Sequence, residues 1–167
     1  MRAGPGRSPS PAGSPEMPEQ PFREYRPAGT VVAPAMMELE RAFFDEMVEH
    51  GLAAFPNEAC GLLAGKDGRP VKYFAMTNQD ASPVSYRLDP KEQLTVFDQI
   101  DDEGWDLLGI FHTHTHSEAY PSETDLRQAF YPESLYLLMS LSDREKPVLR
   151  GFRIEDGEVT EDEVAIG

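Results

Sequence analysis

The amino-acid sequence predicts an α/β fold in which helices flank a mixed central β-sheet. Apolar residues recur at helical spacing in three segments, and short apolar runs bounded by turn residues alternate with these segments. Because the chain then ends in a strand-rich part, we expect an α/β sandwich built around one sheet. Its 167 residues suffice for one domain with a substantial core.

The first 30 residues are rich in Pro, Gly and Ser and contain few large apolar side chains. A segment of this composition cannot bury enough apolar surface to offset the entropy lost on ordering. We therefore predict a disordered tail over residues 1–30 and one folded domain over residues 31–167.

Three helices are predicted within this domain. The first runs from about Pro34 to His50 or Leu52, and Asp89 followed by Pro90 starts the second. Ser122 is a favourable N-cap for the third. Their apolar stripes comprise Met36, Leu39, Phe43, Met47 and Val48 in the first helix, Leu94, Phe97 and Ile100 in the second, and Leu126, Ala129 and Phe130 in the third.

Apolar runs of strand length lie between and after these helices. A turn at 66–68 separates the first two runs, and Asp156 and Gly157 form the turn of a predicted terminal hairpin. The predicted strands cover residues 58–65, 71–76, 84–88, 105–112, 135–141, 147–154 and 158–166.

Three of the four histidines of the chain lie within residues 112–116, at the end of a predicted buried strand. Side chains two residues apart on a strand point to the same face, about 7 Å apart at the Cα level, so His112 and His114 can chelate one ion. Asp125, in the first turn of the predicted third helix, offers a third ligand. Two imidazoles and one carboxylate leave a fourth position open, which is typical of catalytic zinc sites.

Ser122 and Asp125 also allow a purely structural interpretation. Serine at a helix N-cap and an acid three residues later can satisfy free backbone amides and do nothing else. The neighbouring pair of histidines favours the metal site over this alternative.

Composition limits the classes of partner. Thirty acidic and fifteen basic residues give a net charge of −15, which disfavours binding to nucleic acid or anionic lipid. One cysteine permits no intramolecular disulfide, and no apolar stretch approaches the roughly 20 residues needed to span a bilayer. We therefore expect no membrane association and a cytoplasmic location.

The spacing of these residues resembles the signature of the JAMM (MPN+) metallopeptidases, His-x-His-x7-Ser-x2-Asp with a glutamate well upstream. His112, His114, Ser122 and Asp125 match it without a gap. The resemblance implies a cytidine-deaminase-like MPN fold and one Zn²⁺ per chain, held by His112, His114 and Asp125. It also implies that Glu58 is the general base and that Ser122 stabilises the oxyanion.

Further segments resemble the compact bacterial Mec-type branch of this family. They are residues 57–65, 76–78, 86–89 and 118–122. This branch implies hydrolysis of the bond between cysteine and the C-terminal Gly-Gly of a small ubiquitin-like sulfur-carrier protein, as a step in cysteine biosynthesis. Other ubiquitin-like or small amide adducts remain an alternative, and so does a non-catalytic scaffold of the same fold.

Several residues near the motif stay open at this stage. Cys60 is a possible nucleophile, although a cysteine in an apolar strand is usually a core residue. His116 is either a loop histidine or a substrate contact. Tyr86 and Arg87 either line a substrate groove or belong to the core and the surface, respectively.

Overall fold

The computed structural model describes residues 35–167, so the predicted tail lies outside the described residues. The described part forms one seven-stranded sheet of order β1-β7-β6-β5-β4-β2-β3. Its strands are β1 (Met36–Leu39), β2 (Cys60–Lys66), β3 (Arg69–Met76), β4 (Asp106–His114), β5 (Leu135–Ser140), β6 (Val148–Glu155) and β7 (Glu158–Ile166), and its helices are α1 (Arg41–Ala54), α2 (Pro90–Glu103) and α3 (Glu123–Arg127).

The sheet is mixed, as predicted. β1 pairs parallel with β7 and β4 pairs parallel with β5, whereas the other neighbours are antiparallel. Met47 of α1 packs in a core on one face of the sheet, and Phe97 and Ile100 of α2 pack in a second core on the other face. The predicted α/β sandwich is therefore confirmed.

The predicted start of the first helix is wrong. Residues 36–39 form β1, in which Met37 and Leu39 are buried while Met36 and Glu38 are exposed. This alternation is the strand period of two. The three-residue spacing of Met36 and Leu39 imitated a helical stripe, and α1 begins only at Arg41.

The predicted strand at residues 84–88 is also wrong. This segment is irregular, and Leu88 alone makes an isolated antiparallel bridge, to Asn78. The Asn78 side chain replaces a strand partner, since its amide donates to Ser85 O and its Oδ1 accepts from Arg87 N–H.

The third helix is shorter than predicted. α3 ends at Arg127, and Ala129 and Phe130 follow it as partly buried residues packed against the core. The terminal hairpin has the expected turn, in which Asp156 and Gly157 both adopt positive φ.

The carboxyl end of β4 is buried in the protein. Residues 107–114 are all buried. α1 can lie close to this strand because Gly51 has no side chain. A Cβ at Gly51 would lie 3.0 Å from the Thr113 methyl group. Within residues 35–167, no helix is both long and apolar enough to cross a membrane.

Candidate metal centre

His112 and His114 project from one face of β4, near its carboxyl end. Both are buried, and their Nε2 atoms lie 3.2 Å apart. The sequence prediction that alternate histidines on this strand converge is therefore realised in the geometry. Strand periodicity is the cause, because Phe111 packs in the core on the α1 face and Thr113 faces Gly51 of α1.

Asp125 approaches the two imidazoles from the first turn of α3. Its Oδ1 lies 3.2 Å from His112 Nε2, and its Oδ2 lies 3.0 Å from His114 Nε2. Burial opposes ionisation of Asp125, but its hydrogen bonds to the two histidines outweigh burial and hold its pKa well below the usual range. The group therefore combines one carboxylate with two imidazole nitrogens.

The start of α3 is a complete capping box. Asp125 N–H donates to Ser122 Oγ at 3.2 Å, and Ser122 N–H donates to Asp125 Oδ2 at 2.9 Å. The structural and the ligand interpretations of this pair are thus compatible, because Oδ2 accepts the amide while both carboxylate oxygens face the histidines.

The donor set fits a divalent cation. His114 Nδ1–H donates to Glu118 O at 2.8 Å, so the neutral imidazole presents the Nε2 lone pair to Asp125. The polar atoms of His112, His114 and Asp125 lie 3.0 to 3.2 Å apart, and this spacing requires protons or a cation between them. Ligands sharing a tetrahedral ion with bonds of about 2.0 Å lie about 3.3 Å apart, which is close to these separations.

The rings of both histidines are held from outside the group. Tyr86 stacks on His112 with 4.4 Å between ring centroids and 24° between the planes. His112 Nδ1 is buried without a hydrogen-bond partner among the described residues, so this stacking, together with burial, orients the ring. Burial lowers the pKa of His112 and favours the neutral form that binds metals.

Glu58 lies just before β2 and is 5% exposed. Its Oε2 is buried without a hydrogen-bond partner within the described residues. Burial raises the pKa of Glu58 to about 8, His114 lowers it and Asp125 raises it further. The carboxyl group is therefore close enough to the metal-ligand group to sense its charges, and its pKa lies near neutral pH.

Two side chains fix the backbone around Glu58. Thr113 Oγ1 accepts from Ala59 N–H at 2.8 Å, and the Asn78 amide donates to Glu58 O at 3.0 Å. The sequence predicts no role for Asn78, although residues 76–78 belong to the segments that resemble the family. Its four hydrogen bonds, which include one from Asp80 N–H, depend on loop contacts that no local pattern reveals.

The other residues that the sequence singled out differ in burial and in their contacts. Cys60 is fully buried in the core and burial raises its thiol pKa to about 12, so it is not a thiolate nucleophile. Ser122 and His116 are exposed. Tyr86 is a core residue that touches a metal-ligand candidate, and Arg87 pairs with Asp80 at the surface.

Comparison with known families matches residues 40–155 to the family described as prokaryotic homologs of the JAB domain. The CysO-cysteine peptidase of Mycobacterium tuberculosis (strain ATCC 25618 / H37Rv) is 45% identical over 122 residues, which cover 72% of this chain and 84% of that protein. A desampylase of Haloferax volcanii is 39% identical over 92 residues, which cover 53% of this chain and 66% of that protein.

Solved structures agree with this match. A protein from Desulfitobacterium hafniense, known from its solution structure, superimposes with a TM-score of 0.72 at 38% identity, over 79% of this chain and 93% of that one. Since the family match spans well over half of the chain, the protein belongs to the prokaryotic JAB-domain family, the JAMM (MPN+) proteins whose signature it carries.

Proposed function

We propose that this chain is a zinc-dependent peptidase that hydrolyses the amide bond between a small ubiquitin-like sulfur-carrier protein and a C-terminal cysteine. The observation that carries the proposal is the convergence of His112, His114 and Asp125 beside the unpartnered carboxyl oxygen of Glu58. The 45% identity to a CysO-cysteine peptidase supports the choice of substrate. The carrier is expected to end in Gly-Gly.

In this proposal His112 Nε2, His114 Nε2 and an Asp125 oxygen hold one Zn²⁺. When bound by three protein ligands, a zinc ion would act as a Lewis acid and would lower the pKa of a water molecule from 15.7 to about 7. Tyr86 and the Glu118 carbonyl keep the two rings in place, so the ligand nitrogens need little rearrangement.

Glu58 moves the proton during hydrolysis. Its carboxylate takes a proton from the attacking water and delivers it to the departing amine nitrogen as the carbonyl C–N bond breaks. A carboxyl group whose pKa lies close to neutral pH suits both transfers. A cation bound nearby would favour the ionised form that accepts the first proton.

Ser122 is the residue we assign to stabilise the developing oxyanion. Its Oγ already accepts the Asp125 amide, but the hydroxyl proton remains available to the carbonyl oxygen of the substrate. We predict that Ser122→Ala lowers kcat by about 10²- to 10³-fold, as expected for the loss of one oxyanion donor. Steady-state kinetics and zinc analysis of the purified variant check this prediction.

Loss of the helix cap is a separate effect of the same change. It should cost about 1 kcal/mol of stability without releasing the metal. Ser122→Thr keeps the hydroxyl and the cap and should retain much of the activity. A Ser122→Ala enzyme with kcat within twofold of the wild type would remove this residue from the chemistry.

A second substrate class has a specific observation in its favour. Desampylases and a probable TtuB-protein conjugate cleaving protease of Thermus thermophilus are among the relatives, so removal of a small protein from a protein conjugate is the second class. The higher identity and greater coverage of the CysO-cysteine peptidase favour the cysteine adduct.

The decisive experiment offers the full-length protein two carriers and follows their masses. One carrier ends in Gly-Gly-Cys, and the other is joined through Gly-Gly to a lysine side chain. We predict loss of one cysteine residue from the first carrier, inhibition by a chelator, and recovery after zinc is added back. Preferential cleavage of the lysine conjugate would favour the second class, and no cleavage of either carrier would contradict the proposal.

A further inference from the structure

An aromatic and cationic cluster lies beside the metal centre and has no part in the mechanism described above. The Arg144 cluster consists of Phe55, His116 and Arg144. The Arg144 guanidinium lies over the Phe55 ring at 4.5 Å, and the His116 ring centroid lies 5.8 Å from that of Phe55. Arg144 and His116 are exposed, so the cluster is open to a ligand.

The loop that carries Arg144 is fixed to the strand that carries the metal ligands. β4 and β5 run parallel and end side by side, with His114 paired to Ser140. Directly after this pair, Leu141 N–H donates to His114 O at 2.9 Å. Ser140 Oγ donates to Ser117 O at 2.6 Å. The segments that contain His116 and Arg144 therefore begin at the carboxyl ends of β4 and β5, where the metal ligands also lie.

The cluster is also close to Glu58 along the chain. Phe55 is three residues before Glu58, and Asn57 N–H, between them, donates to Ala54 O at 2.9 Å. The general acid delivers its proton to the leaving nitrogen, so the leaving group must lie on its side. The group that departs is therefore expected near Glu58, three residues after Phe55.

The charge of Arg144 is uncompensated by any salt bridge within residues 35–167. Three other arginines are paired within these residues, Arg87 with Asp80, Arg150 with Glu161 and Arg153 with Asp162. The chain carries a net charge of −15, so an anionic group near the centre needs a local cation to overcome general repulsion. Arg144, stacked on an aromatic ring, supplies one in a restrained position.

We propose that Arg144 binds the α-carboxylate of the departing C-terminal amino acid, and that Phe55 is the platform that positions its guanidinium. This inference rests on the proposed function. In the cysteine adduct, the carboxylate is attached to the carbon next to the leaving nitrogen, so it approaches this end of the sheet together with the scissile bond. A lysine isopeptide has four methylene groups at this point, so Arg144 selects a terminal residue over a conjugated side chain.

The test compares two substrates that differ only in this carboxylate. The full-length zinc-loaded enzyme is given a carrier ending in Gly-Gly-Cys and the same carrier ending in Gly-Gly-cysteinamide. We expect Arg144→Gln to lower kcat/KM for the acid about 10- to 100-fold, mainly through KM, because a charge-assisted hydrogen-bonded pair is lost. Its kcat/KM for the amide should stay within about threefold of the wild type.

Matched variants separate this role from general electrostatics. Lys146→Gln removes one exposed positive charge from the same loop and should leave the ratio of acid to amide turnover unchanged. Arg144→Lys should recover part of the preference for the acid, because lysine keeps the charge but not the planar fork. Phe55→Leu should weaken the preference a few-fold.

Two results would overturn the inference in different ways. If the wild type cleaves both carriers and Arg144→Gln slows both equally or neither, Arg144 does not read the carboxylate and the proposed function stands. If the wild type cleaves neither carrier, the proposed function and the inference fail together.

Discussion

Replacing Asp125 with alanine is expected to remove bound zinc and peptidase activity together. Asp125 supplies the only carboxylate of the ligand group, and its loss leaves His112 Nε2 and His114 Nε2 3.2 Å apart with no anion to balance a cation. Two neutral imidazoles bind zinc weakly compared with a site of three ligands. The measurement is zinc content per chain after dialysis, together with the rate of cysteine release.

His112→Ala should behave in the same way, because it removes a different ligand of the same ion. Asp102→Ala is the matched control, since Asp102 is an exposed acid at the end of α2, outside the centre. The control should keep one zinc per chain and wild-type turnover. An Asp125→Ala protein that still holds stoichiometric zinc would contradict this ligand set.

The second large effect is expected for Glu58→Gln, which should keep its zinc and lose turnover. Glutamine has almost the same shape but cannot accept or return a proton, so kcat should fall by about 10²- to 10⁴-fold. Because the side chain is buried, an uncharged amide should be tolerated there without unfolding. Zinc analysis, a melting curve and kcat measured on one sample check the three parts of this expectation.

The matched control for Glu58 is Glu103→Gln, an exposed glutamate at the end of α2. It carries the same chemical change and should leave kcat unaltered. A near-normal rate for Glu58→Gln would mean that another group accepts the proton. Loss of zinc from that variant would instead indicate that Glu58 contributes to metal binding.

The two kinds of variant should therefore be distinguishable without a crystal structure. Asp125→Ala and His112→Ala should lose metal and rate together, whereas Glu58→Gln should lose rate alone. Such a separation distinguishes a ligand from a proton carrier, although all three side chains are buried within one site.

The parts of the site that follow from local periodicity were predictable from the sequence. His112 and His114 share a face because a strand repeats every two residues, and Asp125 occupies the first turn of a helix that Ser122 caps. Glu58 is different, because its place beside this group depends on the pairing of Cys60 with His112 in neighbouring strands. The family resemblance selected Glu58, and residue patterns alone did not.

The errors in the predicted fold have a common cause. β1 is four residues long and pairs with β7 at the far end of the chain, so a helical stripe was the better local match. The segment at 84–88 has a strand-like composition, but the Asn78 side chain takes up its backbone groups instead of a neighbouring strand. In both places a contact distant in sequence outweighs local preference.

The same limit explains why the Arg144 cluster was not predicted. Its members come from the end of α1, the segment after β4 and the segment after β5. Only the parallel pairing of β4 with β5 and the position of α1 over β4 bring them together.

The reciprocal hydrogen bonds at the start of α3 also bear on how the protein acquires its metal. Backbone amides already orient the Asp125 carboxylate, and a carbonyl already sets the tautomer of His114. The polypeptide thus pre-organises the metal-ligand group, unlike a zinc finger, in which metal binding drives folding. We therefore expect the folded chain to take up its ion after synthesis, and to exchange it for another divalent metal without refolding.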